Sequence, residues 1–126
     1  MMEVIQTQSA PEAIGTYSQA VKVGDMVFVS GQIPLNPVSM EVVGPDLRAQ
    51  VTQVFKNLSA VCEAAGGSLR QVVKLSVFTT DLSEFPTINE VMAEFIDPPY
   101  PARAVVGVAS LPKGVDVEVE AVLSLA

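Results

Sequence analysis

From Val115 to Leu125 the chain alternates strictly. Val115, Val117, Val119, Ala121, Leu123 and Leu125 fall on one side, while Asp116, Glu118 and Glu120 fall on the other. A period of two belongs to the β-strand, so this stretch demands a sheet with one face buried. An earlier run, Ala102 to Val108, behaves likewise: Ala102, Ala104, Val106 and Val108 share one face, Arg103, Val105 and Gly107 the other. Leu111-Pro112-Lys113-Gly114 between them reads as a turn. An antiparallel hairpin about that turn would set Arg103 near Glu118, on the face away from the apolar side. A guanidinium beside a carboxylate has two readings. The commoner is a cross-strand ion pair. The sharper is a site, in which the planar fork of Arg103 grips a substrate carboxylate and Glu118 accepts a proton from water.

The remaining segments supply the partners such strands need. Val4 to Gln6 reads as a short strand, and the stretch to Gln19 as loop carrying Tyr17, whose first reading is a packing ring with its hydroxyl at the surface. Ala20–Val23, Gly24-Asp25 and Met26–Ser30 read as a hairpin with a two-residue turn. It runs into Ser30-Gly31-Gln32, where the glycine marks a bulge or bend, or a place where another group comes close to the backbone. Asn36 to Gly44 is a surface excursion. Asp46 then caps a helix whose stripe is Leu47, Val51, Val54, Phe55, Leu58, Val61, Cys62 and Ala65, stopped by Gly66-Gly67. Cys62 on that stripe is a small core residue rather than a nucleophile, because no base stands ready to activate it. Val72–Thr79 is a strand. A second helix, Glu84 to Ile96, tolerates Pro86 in its first turn and ends at Pro98-Pro99. Asn89 sits off its stripe, either solvated or aimed at a neighbouring edge. The sum is an α+β single domain over residues 1–126, a two-layer mixed β-sheet with both helices on one face.

Composition sharpens this at three points. Apolar residues make up 49% of the chain and charged residues 17%, a greasy balance for so small a fold. The uncovered sheet face is therefore expected to meet another subunit. No apolar run approaches a membrane span and no leader is evident, so a cytoplasmic location is the default expectation, with no membrane partner. The net charge of −7, with basic residues scattered, argues against a nucleic-acid partner. Histidine is absent. That excludes Ser-His-Asp and Cys-His sites, His-ligated zinc and any imidazole base; acid–base work must fall to Asp, Glu, Lys, Tyr or water.

Several of these residues occur together in a known pattern. Ser30-Gly31-Gln32-Ile33-Pro34, Ala64-Ala65-Gly66, Val72-Val73-Lys74, Phe85, Asn89, Pro101-Ala102-Arg103 and Val117-Glu118-Val119-Glu120-Ala121 resemble, in order and over essentially the whole chain, the RidA/YjgF family of imine deaminases. Ile14-Gly15-Thr16-Tyr17-Ser18-Gln19-Ala20 is similar to its N-terminal signature, with Thr16 where Pro is common. The resemblance implies a chorismate-mutase-like fold and a homotrimer with clefts between subunits. It implies a 2-iminobutanoate/2-iminopropanoate deaminase that turns enamines and imines such as 2-aminoacrylate and 2-iminopropanoate into 2-oxo acids and ammonia. No metal and no organic cofactor is implied.

By motif position Arg103 would bind the substrate carboxylate and Glu118 would activate water. Tyr17, Ser30, Gly31 and Asn89 would line the cleft, with Val105 contributing through its backbone. Val105 stands where Cys is frequent, and Gly107 where an acidic or amide residue is frequent, so substrate preference is open. Glu120 is expected to be structural or at a subunit contact. Two other readings compete: a regulatory trimer that binds 2-oxo acids or related carboxylates without turnover, and a nucleic-acid-directed or ribosome-directed activity, against which the acidity counts.

Overall fold

A computed structural model describes residues 1–126. The alternating C-terminal run forms a strand at the heart of the sheet. Successive inward residues Val117, Val119, Ala121 and Leu123 are at most 3% exposed. In chain order the strands are β1 (Met2–Ile5), β2 (Ala20–Val23), β3 (Met26–Gln32), β4 (Val72–Thr79), β5 (Ala102–Gly107) and β6 (Val117–Ser124). The helices are α1 (Leu47–Ala64) and α2 (Phe85–Phe95). The six strands lie side by side in the order β1-β2-β3-β6-β4-β5. All neighbours are antiparallel except β4 and β5, which run parallel and are joined through α2, as a parallel pair requires.

Local chemistry places the helices where the periodicity expected them. The Asp46 side chain accepts a hydrogen bond from Arg48 N and caps α1, and Gly66 at φ +94° follows its end. Asp81 caps a 3-10 turn, Leu82–Glu84, that leads into α2, with Pro86 in the first turn. Both helices lie on one sheet face. Val51, Phe55, Leu58, Ile88 and Val91, all 0% exposed, pack there against the inward row of the strands. Each fully buried side chain of this size contributes about 1.5–3 kcal/mol relative to exposure. Arg48 on α1 also pairs with Glu90 and Glu94 of α2, holding the two helices side by side at the surface. Cys62 is buried in this layer, where burial pushes its thiol up to about 12. The α+β layer arrangement read from the sequence therefore stands. No helix is long and apolar enough to cross a membrane.

Two expectations about β5 do not stand: its hairpin with β6, and the placing of Arg103 on the face away from the apolar side. β5 and β6 do not form a hairpin: β4 lies between them, pairing parallel with β5 and antiparallel with β6. The reason lies in what each strand can cover. β6 is buried on its inner face along its whole length and takes a central place. β5 is built from Ala102, Ala104 and Gly107 beside exposed Arg103 and Val106, and suits an edge. The link between them, with Lys113 at φ 57°, is not a tight hairpin turn and steps past the end of β4.

The register then fixes the faces. Arg103 stands beside fully buried Leu75, so its side chain rises on the helix side. Glu118 stands beside Phe78, on the side the helices leave bare. Within one chain the two residues face in opposite directions. Smaller differences are at element ends: β1 begins and ends before the expected Val4–Gln6, and Val115 is buried but precedes β6.

Candidate active site

On the bare side, four of the singled-out residues come together. β3 slips register against β6 between Val29 and Gln32, and Gly31 sits within that irregularity. Both readings of the glycine hold at once. The strand bulges there, and a Cβ built on Gly31 would collide with the Glu118 carboxylate and stand 2.9 Å from its Cδ. Ser30 is anchored on both sides: its Oγ donates to Ser18 O at 2.6 Å and its backbone N to Gln19 O at 2.9 Å. Tyr17, 52% exposed, projects over the same place.

Tyr17, Ser30, Gly31 and Glu118 line a cleft of about 470 Å³, together with Lys113 and Glu120. The loop that carries Tyr17 is tied down by Gln19, which sequence reasoning passed over. This buried amide accepts from Thr7 N and donates to the carbonyls of Thr7, Ala10 and Pro11. A lone polar residue at a strand start leaves no periodic signal to find it by. Glu118 is partly buried, and burial, followed by the nearby charge of Glu120, raises its pKa above the ordinary glutamate range. Glu120 thus acts on the cleft as well as standing in the strand.

On the helix side a second group forms around Arg103. Its Nη1 donates to Asn89 Oδ1 at 2.7 Å, and its guanidinium carbon lies 4.9 Å from the centre of the Phe85 ring. Asn89, off the apolar stripe of α2, is therefore aimed at the neighbouring edge strand. Phe85 and Asn89, one turn apart on α2, hold the guanidinium from two directions, and a cation over an aromatic face gains about 0.5–1 kcal/mol at such an exposed site. The protein's ion pairs are both made by Arg48, so Arg103 has no carboxylate partner of its own. Asn89 takes one of its five N–H donors, and the rest suit a two-point grip on a carboxylate. Arg103 and Asn89 also stand at the rim of a cavity of about 420 Å³ between α2 and the approach to β5. Val105, two residues on, packs against the core and lines neither space.

The structure thus brings Tyr17, Ser30, Gly31 and Glu118 together, and separately Asn89 and Arg103. It does not join the two groups within one chain. No cluster of three or more Cys, Asp or Glu side chains is placed to hold a metal ion.

The fold defines a small two-layer α+β protein with one bare sheet face, and known proteins of this class are similar along the whole chain. Residues 7–124 match the family described as Endoribonuclease L-PSP. The chain is 47% identical to a 2-iminobutanoate/2-iminopropanoate deaminase of Dermatophagoides farinae, covering 95% of this chain and 94% of that one. The crystal structure of RidA from the Antarctic bacterium Psychrobacter sp. PAMC 21119 superposes with a TM-score of 0.94 at 55% identity, over 97% of this chain and 98% of that one. Escherichia coli TdcF with bound serine superposes with a TM-score of 0.94 at 45% identity, over 98% and 99% of the two chains. The chain belongs to the RidA/YjgF family.

Proposed function

We propose that this protein is a cofactor-independent hydrolase of 2-imino acids and their enamine tautomers, such as 2-iminopropanoate and 2-aminoacrylate, working at a site shared by two copies within a homotrimer. The observation that carries this is the division just described. An arginine with no carboxylate partner in its own chain stands on one face of the sheet, and a cleft floored by a raised-pKa glutamate on the other. One chain cannot bring them together, but the Arg103 edge of one copy against the Glu118 cleft of the next can. The bare face gives the copies a reason to meet: Val4, Val23, Phe28 and Val106 on it are each more than 40% exposed, and apolar surface of this extent marks an interface. The deaminase relative supports the reaction class. The net charge of −7 speaks against RNA as the substrate, despite the endoribonuclease description of the family.

The chemistry asks little of the protein. An enamine gains a proton on its terminal carbon and loses one from nitrogen to become the imine. Arg103 holds the carboxylate, which fixes the adjacent C=N carbon against a water in the Glu118 cleft. Glu118 takes a proton as the water oxygen bonds to that carbon, and the C=N electron pair moves to nitrogen, which is protonated. In the carbinolamine, a second protonation makes nitrogen a leaving group. The C–N bond breaks, the hydroxyl loses its proton, and 2-oxo acid and ammonia result. A carboxylate whose pKa lies closer to the working pH is the better base for the first step.

The test is a trapping assay with the full-length protein. An amino-acid oxidase generates the imine in the presence of semicarbazide, and semicarbazone is followed. The protein should suppress trapping of the alanine-derived imine; unchanged trapping across small and bulky imines would remove the hydrolase reading.

Two variants probe the cleft. Gly31→Ala should displace the Glu118 carboxylate while leaving the core untouched, lowering kcat/KM up to about 100-fold with little change in Tm. Equal activity would mean that the close approach of Gly31 and Glu118 has no catalytic meaning. The second concerns pH. A carboxylate with a raised pKa keeps its proton to higher pH, so its basic form is lost as pH falls through that raised value. The acid limb of kcat/KM should therefore follow that titration, which burial and Glu120 push up and the second copy's Arg103 draws down. Glu120→Gln removes the like charge and should move the limb to lower pH. The other charged groups facing Glu118, which are Lys113, Glu12 and the second copy's Arg103, stay in place. A limb that moves upward or not at all would remove Glu118 as its source.

A further inference from the structure

The cavity beside Arg103 is not explained by a substrate as small as 2-iminopropanoate. It holds about 420 Å³ and opens on the helix side of the sheet, between α2 and the segment leading into β5. Its walls are Leu75 from β4, Met92 and Ala93 from the last turns of α2, Ile96 just past its end, and Tyr100 with Pro101. Polarity is confined to one place: Asn89 and Arg103, the hydrogen-bonded pair that stands ready to grip a carboxylate. This volume lies within the range of small-molecule pockets, and an apolar wall with a few converging polar groups is how such pockets are built. A methyl group would leave most of it empty.

We propose that this cavity is the side-chain subsite of the enzyme, and that it selects 2-imino acids carrying a branched or extended apolar side chain over the methyl compound. The inference rests on Arg103 as the carboxylate anchor of the hydrolase proposed above. With the carboxylate on Arg103, the two remaining substituents of the reacting carbon part company. The imine nitrogen and its carbon turn toward the Glu118 cleft of the second copy. The side chain lies along α2, past Ala93 toward Met92 and Ile96. Leu75 is fully buried and Met92 and Ile96 nearly so, which gives the subsite a firm floor; Ala93 and Tyr100 are exposed and form its lip. Ala93 is the determinant, because its small side chain leaves the entrance open.

The test separates this subsite from the reaction itself. Full-length protein is titrated calorimetrically with pyruvate and with 4-methyl-2-oxopentanoate, which share the carboxylate and oxo group and differ only in side chain. The branched acid is expected to bind at least about 10-fold more tightly, given what added methylenes contribute in an apolar pocket. Ala93→Leu should reduce that preference and Ala93→Phe should abolish it, by weakening the branched acid far more than pyruvate. Both substitutions are on an exposed helical position and leave the core alone. In parallel, kcat/KM is measured with imines generated from alanine and from leucine. If the binding preference and its loss in Ala93→Phe are seen but no imine is hydrolysed, the subsite stands and the hydrolase reading falls. If imines are hydrolysed but pyruvate binds as well as the branched acid, or Ala93→Phe leaves the preference intact, the subsite falls and the hydrolase stands. Failure of both acids to bind also overturns the subsite.

Discussion

Glu118→Gln is expected to lower kcat by about 10²–10⁴-fold, the range that a positioned general base supplies. The amide keeps the size and shape of the side chain, so the cleft with Gly31 and Tyr17 stays filled as before. What disappears is the ability to take a proton from water. Because the carboxylate grip lies on the other group of residues, binding of a 2-oxo acid should be almost unchanged in this variant. That split distinguishes an enzyme from a regulatory protein that merely holds 2-oxo acids. A binder would be indifferent to the substitution in every assay. Glu118 is also partly buried beside Glu120 with its pKa raised, so removing its charge relieves a desolvated carboxylate. Tm should hold steady or rise slightly, and lost activity cannot then be ascribed to unfolding.

Arg103→Ala should act in the opposite manner, chiefly on binding. Truncating one partner of a hydrogen-bonded charge pair costs about 2–5 kcal/mol, which corresponds to a loss of roughly 30- to 4,000-fold in kcat/KM. KM and 2-oxo acid affinity should carry most of it, and kcat a further part, because a loosely held carboxylate no longer aims the reacting carbon. Arg103→Lys should recover only a fraction. An ammonium is a point charge, and it can neither present the two-point fork nor lie flat over the Phe85 ring. Phe85→Leu offers a gentler probe of the same arrangement, since it removes the surface under the guanidinium while leaving Asn89 in place. Retention of full affinity by Arg103→Ala, measured with pyruvate, would mean that the carboxylate is held elsewhere.

How much of this was legible in the sequence depends on distance along the chain. β4 falls at Val72–Thr79 as its pattern indicated, and α1 begins at the Asp46 cap and stops before Gly66, because caps, stops and periodicity are local. The alternation of Ala102 to Val108 correctly said that Arg103, Val105 and Gly107 share a face. It could not say which strand would lie alongside. Pairing is a non-local choice, and a run of Ala and Val satisfies a hairpin as readily as a parallel edge. That single undetermined neighbour put Arg103 and Glu118 side by side in the sequence reading and on opposite faces in the structure. Gly31 was legible as a position of bulge or close approach, but not as the residue that admits the Glu118 carboxylate, since the contact joins β3 to β6 across most of the chain. Gln19 and Phe85 escaped for a related reason. Each works through partners that only the fold brings near: the loop carbonyls for Gln19, the guanidinium for Phe85.

A working active site is expected to take Arg103 from one copy and Glu118 from another. The most direct test is complementation between two inactive variants, Arg103→Ala and Glu118→Gln, carried on differently tagged chains, co-expressed and purified through both tags. Each variant alone should be nearly inert. In a cyclic trimer that carries both chains, one site in three, about a third of the total, receives the intact arginine and the intact glutamate. About that share of wild-type activity should be recovered in the imine-trapping assay. Mixed assemblies no more active than the two variants measured separately would contradict that expectation, placing both residues of a working site on the same chain or outside the reaction altogether.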